Sequence, residues 1–379
     1  MIFKNARIFT DIGWMVGGFE VTEDGKFGLL FDGEPPADGI DLEGAKVIPG
    51  LVDVHIHGAM GADFSDGDPE GLTQMGQYLL KEGITSFAPA SMTLPYDVLE
   101  KAFSVGRAYA DNTPADGARL MGIHMEGPYF SEKKKGAQNG AYLKNPDFEG
   151  FQALYKGCGG LIKIVDVAPE LPGATEFVEQ AKSLCTVSIA HTDSDYSHAK
   201  AAVDAGVTHL THLYNAMPGI HHRNPGVIPA AVENKNVRAE LICDGIHVHP
   251  ASVRLAFQMF TEHFGDHRIV LISDALRCCG MPNGQYELGG QAVFLENGVG
   301  RLADGTIAGA VTNLYEGMRR AIKFGIDEFD AIRAATINPA LAIGAEDKIG
   351  SIETGKLADF IVCADDYSSK RVFKDGKEI

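Results

Sequence analysis

The stretch PGLVDVHIHG, residues 49–58, marks a change in the character of the sequence and decides the fold. Before it, residues 1 to about 46 consist of short β-like pieces separated by turns at 24–25, 32–33 and 34–36. After it, apolar runs typical of buried strands alternate with amphipathic, helix-like stretches. This alternation predicts a parallel sheet whose strands are connected by helices.

Eight apolar runs are candidate strands: LVDVHIHG (51–58), TSFAPASM (85–92), RLMGIHMEG (119–127), IKIVDVAPE (162–170), TVSIAHTD (186–193), THLTHLYN (208–215), RAELICDG (238–245) and RIVLISDA (268–275). Several helix-like stretches between them stop at glycine, as at Gly83, Gly206 and Gly265. Eight such repeats predict an α/β fold of the (β/α)8 TIM-type barrel class. An open, doubly wound sheet is the alternative.

The two ends of the chain are β-rich and flank the predicted barrel. The tail GSIETGKLADFIVCADDYSSKRVFKDGKEI (350–379) returns to short strands and turns. We predict a small β-sandwich domain formed by residues 1–48 plus 346–379, and a barrel domain from 49–345. A Gly-rich, β-like insertion is expected at roughly 276–308, after the eighth strand.

The net charge, the apolar runs and the cysteine content indicate which partners and which cellular location to expect. The net charge of -18 opposes binding to nucleic acid or to anionic membranes, so neither partner is expected. The sequence has no run of eighteen apolar residues, so we expect no membrane span. Its first residues do not combine a basic start with a following apolar run, so we expect no signal peptide. The six cysteines form no CxxC motif, so we expect reduced thiols and a cytoplasmic protein.

Polar residues that can bind metal ions follow five of the predicted strands. They are His55, His57, Glu126, His191, His212 and Asp274. Because the carboxyl ends of barrel strands meet on one face, we expect these side chains to converge. Imidazoles and carboxylates suit zinc or iron, which would lower the pKa of a bound water and polarise a carbonyl. Asp274 could then move the proton from this water to a leaving amine.

Each of these residues alone has a simpler explanation, since a single histidine at a strand end is more often structural. Convergence of six is much harder to explain by chance. Five other histidines do not share this convergence at strand ends, and we expect them behind the site, in the core or at the surface: His124, His198, His209, His263 and His267. The adjacent Cys278 and Cys279 are expected to pack rather than bind metal, because no third soft ligand is near.

A second set of residues predicts an anion site. The segment 214–217 follows His212, and its backbone N–H groups can form an anion-binding loop. Arg223 and His247 lie nearby in the sequence, and the guanidinium of arginine suits a phosphate group. The alternative is a surface arginine beside solvated histidines.

The chain resembles the amidohydrolase superfamily in two segments, PGLVDVHIHG (49–58) and IGSIETGKLADFIV (349–362). A closer resemblance links it to the N-acetylglucosamine-6-phosphate deacetylase family. The segments that carry it are GIHMEGPYF (122–130), IAHTDSDY (189–196), THLYNAMPG (211–219), ICDGIHVHP (242–250), LISDA (271–275) and IAGA (307–310).

The resemblance implies a role for each matching position. Glu126, His191 and His212 would hold the main ion, and His55 and His57 a second ion bridged by Glu126, so one or two zinc or iron ions per subunit are implied. Asp274 matches the family's acid–base residue. In this family the matching arginine comes from the neighbouring subunit, which implies a homodimer with Arg223 reaching the neighbouring active site. The remaining implied substrate contacts are Ala137, Gln138, Asn215, Ala216, His247, Ile307, Ala308 and Gly309.

Two features refine this resemblance. Many superfamily members carry a carboxylated lysine at the end of strand four, but here Lys163 lies at its start, which argues against dihydroorotase, hydantoinase and urease. Gln138 stands where many family members have a substrate-contacting histidine, and this leaves carbonyl polarisation and sugar preference open.

The implied reaction is hydrolysis of the acetamide of N-acetyl-D-glucosamine 6-phosphate, a small phosphosugar substrate. The alternatives are deacetylation of N-acetylgalactosamine 6-phosphate or another N-acyl substrate, or a non-catalytic barrel that serves as a binding protein.

Overall fold

A computed structural model describes residues 1–33, 38–261 and 268–379. Some predictions fall outside the described residues: the turn at 34–36, the helix end at Gly265, and the placement of His263 and His267.

The structure confirms the predicted alternation of helices and parallel strands. The eight parallel strands are Leu51–Ile56, Ile84–Pro89, a third in two pieces (Arg119–Leu120 and Ile123–Met125), Ile162–Val167, Thr186–Ile189, His209–Leu210, Arg238–Ile242 and Ile269–Ile272. Each pairs in parallel with the next strand along the chain. Seven of the apolar runs predicted as strands contain one of them, and the strand Ile84–Pro89 begins one residue before the run predicted at 85–92.

Hydrogen bonds also join the last of these strands to the first. The backbone N–H of Asp274 donates to the carbonyl of His55 at 2.9 Å, and that of His57 donates to the carbonyl of Ala275 at 2.9 Å. An open, doubly wound sheet would reverse its strand order at a switch point. The described strands instead follow chain order from the first to the eighth, and the eighth is bonded to the first. The open, doubly wound alternative therefore does not fit these strands.

Helices follow most of the strands and pack outside them. The α-helices are Pro69–Lys81, Tyr96–Asp111, Phe148–Gly157, Ala174–Ala181, Tyr196–Ala205, Val227–Val232, Pro250–Met259, Leu314–Lys323, Glu328–Ala335 and Ile337–Ala342. The first shows why they begin where they do: Pro69 stands at its start, and the Asp68 carboxylate accepts from two backbone N–H groups. Among the described helices, none has the length and apolar composition needed to cross a membrane.

Both ends of the chain contribute to one eight-stranded sheet, which confirms that they pair. Its strands are Ile2–Thr10, Gly13–Val21, Phe27–Asp32, Ile40–Asp41, Lys46–Pro49, Phe360–Cys363, Lys370–Lys374 and Lys377–Glu378. The junction is the antiparallel pair of Lys46–Pro49 with Phe360–Cys363.

This terminal sheet is rolled around an aromatic cluster. The strands of Phe19 and Phe360 are three steps apart in the sheet order, which would separate them by roughly 14 Å in a flat sheet. Their ring centroids are nevertheless 5.0 Å apart. Phe3, Phe27 and Phe373 complete the cluster, and all five rings are buried.

The predicted insertion after the eighth strand is a four-stranded antiparallel sheet. Its strands are Gly284–Leu288, Gln291–Glu296, Val299–Leu302 and Ile307–Gly309. Leu288 and Val293 pack on Met92 and Leu276, so an apolar cluster fixes the insertion beside the carboxyl ends of the parallel strands. The Gln291 side chain also donates to the carbonyl of Ala137 at 2.6 Å.

Candidate active site

A pocket of about 290 Å³ brings most of the predicted site residues together. From that set, the lining residues are His57, Glu126, Ala137, Gln138, His191, His212, Asn215, Ala216, His247, Asp274, Ile307, Ala308 and Gly309. His55 has no exposed surface and lies behind His57 and Glu126. Arg223 does not line the pocket of its own chain.

Glu126, His191 and His212 form the first tight group of possible ligand atoms. Glu126 Oε1 lies 3.0 Å from His191 Nε2 and 3.2 Å from His212 Nε2. The two imidazole nitrogens are 3.1 Å apart. Ligand atoms about 2.1 Å from one tetrahedral zinc ion would be separated by roughly 3.4 Å. The observed spacing therefore fits three ligands of a common ion.

A second group shares Glu126 and adds the two histidines of the first strand. His57 Nε2 lies 3.3 Å from Glu126 Oε2 and 3.4 Å from Asp274 Oδ1. His55 Nε2 lies 3.8 Å from Glu126 Oε1 and 3.6 Å from Asp274 Oδ1. Glu126 thus stands between two groups of imidazoles, as a bridging carboxylate would.

Unpartnered nitrogen atoms support a metal at this position. His55 Nε2 is buried and has no hydrogen-bond partner among the described residues. His191 Nδ1 lies 2.9 Å from the carbonyl of Lys134, which can only accept, so Nδ1 carries a hydrogen and Nε2 is the ring nitrogen that faces Glu126. Lone pairs of buried imidazoles that face ionised carboxylates are the donor set of zinc and iron sites.

The backbone at three of these positions is left-handed. His191, His212 and Asp274 have φ values of 44°, 31° and 49°, a region that L residues rarely adopt. Backbone hydrogen bonds hold each of them; for example, the Asp274 carbonyl accepts from Ala310 N at 2.8 Å. Such strain at strand ends persists when surrounding contacts fix it, and it clusters at functional sites.

The electrostatics of the pocket floor favour a cation. Burial raises the pKa of Glu126, but hydrogen bonds from His191 and His212 outweigh this effect and hold that pKa well below its ordinary value. Burial likewise raises the pKa of Asp274, and the hydrogen bond with His57 outweighs it and lowers the pKa. Burial lowers the pKa of His57, whereas Asp274 and Glu126 raise it to about 9. Both carboxylates are therefore ionised at neutral pH.

A fully buried polar layer lies beneath the pocket floor. Glu240, in the seventh parallel strand, accepts from His209 Nε2 at 3.0 Å and lies 2.9 Å from His55 Nδ1. Asp166, in the fourth, contacts His124 Nε2 at 3.0 Å. This places the predicted His124 and His209 behind the site. By contrast, His198 is exposed and pairs with Asp195.

Gln138 connects the pocket wall to the metal-binding group. Its amide nitrogen donates to Glu126 Oε2 at 2.7 Å, and its amide oxygen accepts from the backbone N–H of Thr93 at 2.7 Å. The side chain is buried, with 4% exposure of the residue. Its orientation is therefore fixed by Glu126 and Thr93 rather than left free in the pocket.

Three of the predicted anion-binding residues, Asn215, Ala216 and His247, line the same pocket. Ala216 has a left-handed φ of 53°. His247 Nδ1 lies 2.7 Å from Asp244 Oδ2, which leaves Nε2 available to a ligand. Burial raises the pKa of Asp244, but the hydrogen bond with His247 outweighs it and lowers the pKa.

Arg223 lies apart from this group. It is exposed, and its Nη1 lies 2.7 Å from His222 Nε2. The adjacent residues 220–224 are exposed as well. The guanidinium is thus exposed at the surface and does not line the pocket of its own chain.

Sequence reasoning missed several residues of the site. Glu240 was passed over, although a carboxylate within the apolar run RAELI needs partners once it is buried. Other lining residues that were not predicted come from the loop at 131–138, which contains three consecutive lysines, from the end of the second strand and from the insertion: Met92, Lys133, Lys134, Gly136, Leu288 and Thr306.

Comparison with known proteins agrees with this geometry. The sequence model of the amidohydrolase family matches residues 46–379. The N-acetylglucosamine-6-phosphate deacetylase of Bacillus subtilis (strain 168) is 35% identical over 380 residues, spanning 97% of this chain and 93% of the relative. The N-acetylgalactosamine-6-phosphate deacetylase of Escherichia coli O157:H7 is 30% identical, spanning 99% of this chain and 98% of the relative.

A solved structure is also similar over its whole length. It is an aspartate-to-alanine mutant of N-acetyl-D-glucosamine-6-phosphate deacetylase from Mycobacterium smegmatis, in complex with N-acetyl-D-glucosamine 6-phosphate. It aligns with a TM-score of 0.92 and 30% identity, covering 100% of this chain and 98% of that one. The resemblance inferred from the motifs is thereby confirmed, and the chain belongs to the amidohydrolase family.

Proposed function

We propose that this protein hydrolyses the acetamide of N-acetyl-D-glucosamine 6-phosphate to D-glucosamine 6-phosphate and acetate. The observation that carries the proposal is one pocket in which Glu126 stands between two groups of imidazoles, with Asp274 facing both His55 and His57. The names of the similar proteins from Bacillus subtilis and Mycobacterium smegmatis agree with this activity.

Glu126, His191 and His212 would hold a catalytic zinc or iron ion, and His55 and His57 would hold a second one with Glu126 between them. When bound, such an ion lowers the pKa of water and polarises the carbonyl that is attacked. The ionised carboxylate of Asp274 takes the proton from the attacking water and delivers it to the leaving nitrogen.

The substrate is oriented by residues on the walls of the pocket. The backbone N–H of Ala216 and the side chain of His247 bind the phosphate, and Asn215, whose backbone N–H donates to the His212 carbonyl at 2.9 Å, lines the pocket beside them. Ile307, Ala308 and Gly309 line the sugar, and Ala137 and Gln138 are further contacts from the lining of the same pocket. In a homodimer, the exposed guanidinium of Arg223 reaches the phosphate in the neighbouring active site.

We also propose the architecture that supports this site. The eight parallel strands form a closed (β/α)8 barrel within residues 49–345. Residues 1–48 plus 346–379 form a small β-sandwich, which the rolled terminal sheet and its aromatic cluster favour.

The second candidate substrate is N-acetylgalactosamine 6-phosphate, favoured by the E. coli relative of that name. An assay of acetate release over both 6-phosphates, their unphosphorylated sugars and N-acetyl amino acids separates these possibilities, with metal content measured on the same sample. We expect the highest kcat/KM for N-acetylglucosamine 6-phosphate. A protein that binds no zinc or iron and releases no acetate from this panel would instead be a non-catalytic barrel.

A further inference from the structure

Glu240 contacts residues that belong to different parts of the site. Its Oε2 atom lies 2.9 Å from His55 Nδ1 and accepts from the backbone N–H of His212 at 3.2 Å. Its Oε1 atom lies 3.0 Å from His209 Nε2. His55 lies on the first parallel strand, His209 on the sixth, and His212 directly after the sixth. Because the carboxylate is fully buried, these three groups take the place of water as its hydrogen-bond partners.

We propose that Glu240 is a positioning residue that selects the tautomer of His55 and thereby keeps His55 Nε2 available to a divalent ion. This inference rests on the proposed metal-dependent function. An ionised carboxylate can only accept, so the contact at 2.9 Å requires the hydrogen of His55 to be on Nδ1. The lone pair is then on Nε2, the buried atom that has no protein partner among the described residues.

The direction of the imidazole agrees with this assignment. His55 Nε2 faces the ion-binding groups, at 3.8 Å from Glu126 Oε1 and 3.6 Å from Asp274 Oδ1. The opposite tautomer would put a hydrogen on Nε2 and exclude it as a ligand. It would also leave Nδ1 and Glu240 Oε2 as two acceptors in contact, which is unfavourable in a buried layer.

Glu240 also links His55 to the other ion position. The atom that contacts His55 accepts from the backbone of His212, whose φ of 31° is strained. The carbonyl of Glu240 accepts from Leu213 N at 2.8 Å, directly after His212. One residue of the seventh strand therefore fixes a ligand from the first strand and the backbone of a ligand from the sixth.

The matched control is Asp166, a second fully buried carboxylate of the same layer. It contacts His124 Nε2 at 3.0 Å and accepts from Thr211 Oγ1 at 2.9 Å. Among the described residues, its side-chain hydrogen bonds are with His124 and Thr211, and neither of these is one of the proposed ligands. Substituting it removes a buried charge without removing the acceptor that faces His55.

The experiment compares Glu240→Leu and Glu240→Gln with Asp166→Leu and Asp166→Asn. Zinc is removed, and its binding is measured by competition with a chromogenic chelator, with ions counted by mass spectrometry. The tautomer of His55 is determined in the metal-free proteins from long-range ¹H–¹⁵N correlations of labelled histidine. The signals of His55 are assigned because they disappear in His55→Gln. Melting temperatures report the purely structural cost.

We expect Glu240→Leu to weaken zinc binding by about 10- to 100-fold and to abolish the Nδ1–H signature of His55. Glu240→Gln keeps an acceptor oxygen and should retain the tautomer, with intermediate zinc affinity. The Asp166 variants should bind zinc like the wild type. An unchanged His55 tautomer in Glu240→Leu, or zinc affinity equal to that of Asp166→Leu, would overturn the proposal.

If Glu240→Leu does not fold, the zinc affinity of Glu240→Gln tests the proposal instead, because a neutral amide in place of the carboxylate lowers the basicity of His55. Weaker zinc binding than in Asp166→Asn then supports the proposal, and equal binding overturns it. Failure of the proposed function is separate: it would appear as a wild-type protein that releases no acetate, while the His55 tautomer in the metal-free protein is still read.

Discussion

Replacement of Asp274 with asparagine tests the proposed proton transfer most directly. The two side chains have nearly the same shape, but an amide cannot take up a proton. The backbone of residue 274 has a φ of 49°, and asparagine tolerates this region better than most residues. The backbone hydrogen bond from Ala310 N to the Asp274 carbonyl does not involve the side chain. The variant should therefore fold normally.

The structure sets the size of the expected effect. General acid–base catalysis by a positioned group contributes about 10²- to 10⁴-fold. Asp274 Oδ1 lies within 3.6 Å of both His55 and His57, so this carboxylate faces the ion-binding group that these two histidines form with Glu126. The proposed mechanism uses it for two proton transfers, so we expect a loss of kcat near the upper limit, about 10³- to 10⁴-fold. Such a loss raises the activation barrier by about 4–5.5 kcal/mol.

The assay is steady-state acetate release from N-acetylglucosamine 6-phosphate, with metal content and melting temperature measured on the same preparation. Glu126, His191 and His212 are unchanged, so metal content should stay near normal. Asp193→Asn is the control, because Asp193 is a carboxylate beside the site that pairs with Lys133. A kcat close to the wild-type value in Asp274→Asn, at normal metal content, would refute the role assigned to this carboxylate.

Three further predictions follow from other parts of the molecule. Dialysis against a strong chelator should abolish acetate release, and zinc or iron should restore it; activity that survives complete removal of metal would contradict the proposed site. Arg223→Ala should raise KM by about 10- to 100-fold with little change in kcat, since a charged hydrogen bond contributes about 1.5–3 kcal/mol. Mixed dimers of Arg223→Ala and Asp274→Asn subunits should recover activity, and no recovery would exclude an arginine acting across the interface. Phe360→Ala should lower the free energy of unfolding in urea by about 3–5 kcal/mol with kcat unchanged, because the buried ring contacts the aromatic cluster away from the pocket; a loss below about 1 kcal/mol would show that the cluster is not tightly packed.

The parallel strands and their polar ends were predictable because the physical signal is local. A strand buried on both faces must be a continuous apolar run, and a polar residue that ends such a run is easily recognised. This is why His191, His212 and Asp274 could be assigned to one site before their distances were known. Their left-handed backbone could not be predicted, because few non-glycine residues adopt that conformation, even though histidine and aspartate are enriched among those that do.

Other features depend on contacts between distant parts of the chain. The bounds of the helices Phe148–Gly157 and Val227–Val232 could not be read from the sequence; the second has only six residues and contains Pro229. Rolling of the terminal sheet depends on contacts such as that between Phe3 and Phe360, which come from opposite ends of the chain. The function of Glu240 becomes clear only when its neighbours are known, since its sequence context shows a buried carboxylate but not its partners.

The joint origin of the terminal sheet constrains how the protein is made. Lys46–Pro49 leaves the ribosome long before its antiparallel partner Phe360–Cys363, by roughly 15–60 s at 5–20 residues per second. During that interval one edge of the sheet has no partner, and the rings of Phe3 and Phe19 lack the cover that Phe360 later gives. We therefore expect the first strands to be the segment of the nascent chain most prone to aggregation, and the segment most in need of a chaperone.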